Sequence, residues 1–445
     1  MIRKLLALLT AVVMLLGLSC AALAEDVPVP EGRRQITFWH SMTGVNLTAV
    51  ENLCTRFNES QDEIWVTPIY QGAYDDCLTK LKSAFGAGTA PDVFMMFELG
   101  ANYLSNCGYV IPFQDRFDAD PFMDLNDLVD VLQNYYTING KLQCFPFNPS
   151  SLLLYYNKDA FAAAGIEVPK TFAGMKDVAD KLKEAGGVKY AIGLNVYGWN
   201  FENLLASSGS YYLNNENGRA GLATEVVYPD LDVTREILST WKDMVDSGAA
   251  FNYGAGQGTM DSFYAFIAGD TGMSLFSTAG LQAAKGAAPF EVGTAWLPIV
   301  HEGDPVSVIV GGANLWMYKS GDAQREDDAW AFVKFYAEDP ENTATYSMQT
   351  GYFAVRKSAY ELDSYKAYLA GNPDAELAIN QLLASPADNV AGGANTGAMP
   401  ELRQIWETTM ESYLAGDLSL DEALDEMRTQ SNDALEFYNE VNGLE

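Results

Sequence analysis

The sequence predicts an α/β protein of two units with a helical C-terminal stretch, and three observations carry that expectation. Apolar strands alternate with amphipathic helices from residue 36 to residue 97. The alternation restarts after Pro146. From about residue 327 onward helical periodicity dominates.

In the first unit, residues 36–40 read as a strand and 46–58 as a helix, with Leu47, Val50, Leu53, Cys54 and Phe57 at helical spacing. Residues 64–70 form a second strand. A second helix over 74–87 lines up Leu78, Leu81 and Phe85. Residues 92–97 are apolar after Asp92, as a strand buried on both faces should be. A β-α-β-α-β order implies right-handed crossovers and a parallel sheet.

The second unit opens with a strand at 152–156. Thr171 is placed to cap a helix carrying Met175, Val178 and Leu182, which Gly186-Gly187 ends. A strand at 190–195 follows, then a helix capped by Thr234 with Ile237, Leu238, Trp241 and Val245 on one face. Residues 260–268, 273–276 and 296–300 continue as helix, strand and strand. Residues 306–310 and 315–318 read as two strands around a tight turn at Gly311-Gly312. Helices are expected at 327–337, 340–349, 376–383, 400–414 and 419–438. Pro340 and Pro400 mark helix starts, and Ser419 with Glu422 forms a capping box.

The first 24 residues read as a secretory signal: Arg3 and Lys4, an apolar run over 5–18, and the small-x-small site Ala22-Leu23-Ala24. Cleavage after Ala24 is the expectation. Cys20, in Gly17-Leu18-Ser19-Cys20, offers the alternative of a lipid-anchored product. The protein is therefore expected to be exported, periplasmic or at the cell surface. The chain carries 59 acidic against 27 basic residues, a net charge of −32. That argues against nucleic acid and anionic membrane surfaces as partners. Cys54, Cys77, Cys107 and Cys144 fit no zinc spacing and read as small hydrophobes, with one disulfide as the alternative.

Polar residues at the carboxyl ends of strands are the candidates for function, because a parallel α/β sheet binds its ligand there. Glu98 directly follows the third strand and can accept hydrogen bonds from the hydroxyls of a polyol or sugar; a solvated helix-start acid is the alternative. Tyr74 can stack on a ligand or donate its hydroxyl. His40 ends the first strand and reads better as a structural group. Ser150 lies where the chain would cross between units, Ser277 ends a strand, and Gly311-Gly312 permits close backbone approach. Arg403 falls in the first turn of a helix, where a cation is mildly unfavourable unless it forks onto an anion; a surface salt bridge to Glu401 or Glu407 is the alternative. Signatures for Ser-His hydrolases, zinc proteases, P-loops and dinucleotide binding are missing from the sequence. A glycosidase using Glu98 and a second acid stays open, because two acids can lie far apart in sequence.

Seven segments, in order, resemble one family. They are FWHSMTG (38–44), YQGAYDD (70–76), GTAPDVFMMFELG (88–100), PFNPSSLLLYYNKDAFAAAGI (146–166), GGANLW (311–316), QTGYFAV (349–355) and GAMPELR (397–403). They resemble family 1 extracellular solute-binding proteins of ABC importers, and within them the glycerol-3-phosphate-binding branch. The resemblance implies a two-lobed, periplasmic-binding-protein-like fold with discontinuous lobes, 25–147 plus 305–353 and 148–304 plus 354–445. It implies a ligand set of Tyr74, Glu98, Ser150, Ser277, Gly312, Tyr352 and Arg403, with hydroxyls, backbone N–H and the arginine on a phosphate and Glu98 with aromatic groups on the glycerol end. The family's site tryptophan corresponds to either Trp199 or Val196 in VYGWNFEN. The implied function is non-catalytic: a monomer with no cofactor and no metal, taking glycerol-3-phosphate or a glycerophosphodiester to a membrane permease. A sugar is the alternative ligand, and a secreted glycosidase or surface adhesin the alternative class.

Overall fold

The computed structural model describes residues 29–256 and 258–444. The expected signal segment, including the choice between Cys20 and Ala24, lies outside them. The strands in chain order are β1 (Arg34–His40), β2 (Ile64–Tyr70), β3 (Val93–Phe97), β4 (Val110–Ile111), β5 (Thr137–Ile138), β6 (Lys141–Leu142), β7 (Phe145–Ser150), β8 (Leu152–Asn157), β9 (Tyr190–Leu194), β10 (Ala250–Asn252), β11 (Thr271–Ser277), β12 (Val292–Trp296) and β13 (Gly311–Tyr318). They build two principal sheets, one per lobe. The first has the order β2-β1-β3-β13-β4, with β7 also paired to β13; the second runs β10-β9-β11-β8-β12.

β1, β2 and β3 are parallel, as the β-α-β-α-β pattern requires. β3 is buried at every position. The helices Gly44–Ser60 and Tyr74–Ala87 connect these strands and bury Val50, Leu53, Phe57, Leu78, Leu81 and Phe85. β13 then pairs antiparallel with both β3 and β7, so a strand from late in the chain sits in the middle of the first sheet. In the second sheet, β9 is parallel to β10 and β11, while β8 is antiparallel to β11 and β12.

Four segments of the sheets differ from expectation. Residues 306–310 are not a strand, although 307–310 are buried. Their backbone is held by side chains instead: Ser385 Oγ accepts from Val308 N–H and Asn203 Oδ1 from Ile309 N–H. Gly311-Gly312 begins β13 and does not make a turn between two strands. The strand expected at 296–300 lies at Val292–Trp296, beyond which Gln381 Oε1 takes the N–H of Leu297. β7, in the proline-interrupted run FPFNPS, carried no strand signal.

The C-terminal region is helical. Ser419 and Glu422 form the expected capping box, and Pro340 opens its helix. The helix expected to start at Thr234 runs Asp232–Asp246, with Thr234 inside it. Arg356 and Lys357 pair with Asp127 and Asp130 of the first lobe. The Pro373–Ala384 helix packs instead against β12. All four described cysteines are free, and three of them are buried. No helix among the described residues is long and apolar enough to cross a membrane.

Candidate functional site

A cavity of about 280 Å³ lies between the two sheets. From the first side it is lined by Tyr74, Phe97, Glu98, Ser150, Gly311, Gly312 and Tyr352. From the second it is lined by Leu152, Tyr197, Trp199, Asn200, Thr259, Met260, Leu275, Phe276, Ser277 and Ala279. Seven of the eight residues singled out from sequence therefore meet in one place: Tyr74, Glu98, Ser150, Ser277, Gly312, Tyr352 and Trp199. Trp199 lines the cavity, while Val196 is fully buried and does not.

Each group is held by its element. Tyr74 opens the Tyr74–Ala87 helix and stacks flat on Phe97, with ring centroids 5.1 Å apart. Its hydroxyl lies 3.5 Å from Asn148 Nδ2, and Asn148 Oδ1 accepts the N–H of Ala313. Asn148 thus ties β7, β13 and the tyrosine together. Burial pushes the Tyr74 hydroxyl well above its ordinary pKa and that of Tyr352 up to about 12, so both stay protonated donors. The Ser277 hydroxyl accepts the N–H of Ala279 and retains its own proton for donation. Trp199 is fixed by a hydrogen bond from its indole N–H to Ile309 O, so it forms a rigid wall.

Gly312 has φ +91°, and a Cβ there would lie 2.0 Å from Asn148 O. Only glycine lets β13 pass this close to β7 beside the cavity.

Arg403 lies behind the wall. Its helix begins at Met399, which puts Arg403 in the second turn, and it is 5% exposed. The guanidinium does fork onto an anion, but that anion is Glu202. Nε donates to Oε1 and Nη2 to Oε2, each at 2.8 Å. Nη1 is 3.4 Å from both Glu98 Oε1 and the Tyr197 hydroxyl. Burial opposes the guanidinium's charge, yet Glu202, Tyr197 and Glu98 together hold its pKa well above the ordinary value. Glu98 is the reverse case. Burial raises its carboxyl to about 7 despite the nearby arginine. Glu407, raised by burial, accepts the N–H of Gly198 on the other side of the cluster.

Sequence reasoning missed Glu202 and Tyr197. Glu202 is 201 positions from Arg403, and no local pattern joins two such residues. Its one visible signal is an acid within an otherwise apolar and amide-bearing helix, Gly198–Ser207, all of whose residues are buried. His40 is buried, with its Nδ1 accepting the N–H of Met42 and its pKa lowered by burial to about 4. It does not line the cavity.

A second cavity, of about 460 Å³, is lined by Asn102, Arg219, Asn395 and Asn439 among others. None of the residues singled out from sequence lines it. Arg219 there donates to the carbonyls of Gly392, Gly393 and Tyr135.

A family model described as bacterial extracellular solute-binding protein matches residues 52–372. The chain is 31% identical to the sn-glycerol-3-phosphate-binding periplasmic protein UgpB of Pectobacterium atrosepticum, over 93% of this chain and 94% of that one. It is 31% identical to the protein of that name from Escherichia coli K12, over 96% and 97%. Among solved structures it resembles UgpB of Mycobacterium tuberculosis in complex with glycerophosphocholine. The TM-score is 0.78 at 25% identity, covering 91% of this chain and 99% of that chain. The cyclic α-maltosyl-1,6-maltose binding protein of Arthrobacter globiformis shares the fold, with a TM-score of 0.74 at 24% identity over 91% and 100%.

Proposed function

Because the chain belongs to the bacterial extracellular solute-binding proteins, we propose that it is the substrate-binding component of an ABC importer for glycerol-3-phosphate or a glycerophosphodiester. The observation that carries this reading is the cavity between the lobes, with its convergent hydroxyls and single carboxylate. Tyr74, Ser150, Ser277 and Tyr352 would donate to phosphate oxygens, and Glu98 would accept from glycerol hydroxyls. Arg403 would hold Glu98 and Tyr197 in position from behind the wall. The volume is at the small end for ligand sites, which favours a compact solute over an oligosaccharide.

The lobes of this reading comprise 29–150 with 311–371, and 151–310 with 372–444. This reading sets the last switch at 371 in place of 353, a choice supported by the pairing of Arg356 and Lys357 with Asp127 and Asp130. Ligand contacts from both lobes would favour the closed form, which a membrane permease would recognise. The protein would work as a monomer and do no chemistry. Glu98 is the one carboxylate among the described lining residues, which supports binding over a two-acid glycosidase.

Calorimetric titration with glycerol-3-phosphate, glycerophosphocholine and maltose tests the reading. Saturable binding of at least one phosphate ester, with no response to maltose, is expected. Binding of maltose alone, or of none of the three, would overturn the ligand assignment. Release of any hydrolysis product would overturn the non-catalytic one.

A further inference from the structure

The acids around Arg403 outnumber it. Glu202 occupies two of its nitrogens at 2.8 Å, Glu98 faces the third at 3.4 Å, and Glu407 closes the cluster through Gly198 N–H. No lysine and no arginine lines the cavity among the described residues, and Arg403 stands behind its wall. Glu202 cannot easily leave, because at 5% exposure it would become an unpaired buried carboxylate. An incoming phosphate therefore meets a guanidinium whose charge is already balanced.

We propose that Glu202 sets the ligand specificity of the site: by holding Arg403, it makes the cavity take a monoanionic glycerophosphodiester in preference to a dianionic phosphomonoester. This rests on the phosphate-ester reading above. Each further negative charge on the ligand enters a cavity with no uncompensated cation, so its cost is set by Coulomb repulsion in a poorly screened interior. A diester carries one charge and two unesterified oxygens. A monoester above its second pKa carries two charges and three such oxygens. Glu202 acts through Arg403, as a positioning residue, and does not line the cavity itself.

The test compares two ligands of nearly equal size, glycerol-3-phosphate and its phosphate methyl ester. They are titrated calorimetrically at pH about 7.5, above the second phosphate pKa of about 6. The wild-type protein should prefer the methyl ester by roughly tenfold or more. Glu202→Gln, which frees the guanidinium from a full charge, should shrink that ratio severalfold, while Glu202→Asp, which keeps the charge, should preserve it. A general loss of packing would weaken both ligands alike and leave the ratio unchanged. The proposal is overturned if the wild type binds the monoester as well as or better than its methyl ester, a result that needs no variant. It is also overturned if the ratio is the same in Glu202→Gln. Should neither ester bind, the phosphate-ester reading itself fails, and that outcome is distinct from the other two.

Discussion

Replacing Arg403 by alanine removes the one cation in a cluster of buried acids. Arg403 and Glu202 are each 5% exposed and Glu98 is 6% exposed, so water cannot take over the lost hydrogen bonds. Two strong N–H···O contacts at 2.8 Å and two at 3.4 Å disappear together. Breaking a buried ion pair from one side costs about 3–5 kcal/mol. At about 2–4 °C per kcal/mol for a unit of 150–250 residues, the melting temperature should fall by roughly 6–20 °C. The deficit should depend on pH. Without the arginine, Glu98, whose carboxyl burial already raises to about 7, loses the cation that holds it down and moves further above its unfolded value. The unfolded state then binds fewer protons than the native state, so the variant's stability falls as pH rises through this range and recovers as pH drops. Differential scanning fluorimetry from pH about 5 to about 8 should show the gap to wild type widening with pH. Packing must be separated from charge, because the Arg403 stem lies against Gly198, where a Cβ would sit 2.3 Å from Arg403 Cγ. Arg403→Met keeps a stem and loses the charge, so it should show most of the pH-dependent loss. Adding Glu202→Leu should restore much of the melting temperature, since apolar replacement of a whole buried pair is often neutral or better. Arg403→Ala melting within about 2 °C of wild type across the range, under half the smallest drop expected from these costs, would refute this reasoning.

Glu98 has a folded pKa of about 7, above its unfolded value, so wild-type stability should fall as pH rises from about 4.5 to about 7. Glu98→Gln should flatten that segment of the melting-temperature profile. Tyr74→Phe removes a hydroxyl and no packing; its melting temperature should stay within about 2 °C of wild type while calorimetric affinity for the phosphate ester drops at least about fivefold. Gly312→Ala would place a Cβ 2.0 Å from Asn148 O at φ +91°, and a destabilisation of about 1–3 kcal/mol, read by chemical denaturation, is expected.

The parallel half of the first sheet was legible because β3 is a buried apolar run, β1 and β2 carry buried apolar residues at alternate positions, and the helices between them have clear periodicity. β7 was not. Its prolines, Pro146 and Pro149, signal a loop, and only pairing with β13 makes it a strand. The same long-range pairing hid the role of Gly311-Gly312. Two glycines after an apolar run look like a turn, yet they begin a strand that must pass close to Asn148. Residues 306–310 misled for the opposite reason. Their apolar run is buried without a strand partner, and Ser385 and Asn203 accept the backbone N–H groups that a neighbouring strand would have taken.

The site was legible wherever position along a strand decides what a residue can reach. Tyr74, Glu98, Ser150 and Ser277 follow or end strands, and all four line the cavity. Arg403 shows where such reasoning stops. A cation near a helix start suggests an anion, and an anion is there, but Glu202 of the Gly198–Ser207 helix supplies it from within the chain. That changes what the arginine can offer a ligand. A free guanidinium would attract any phosphate, and most strongly the more highly charged one. A guanidinium already balanced by Glu202 and faced by Glu98 offers orientation in place of net charge. Discrimination between phosphate esters then turns on one residue, Glu202, outside the cavity lining.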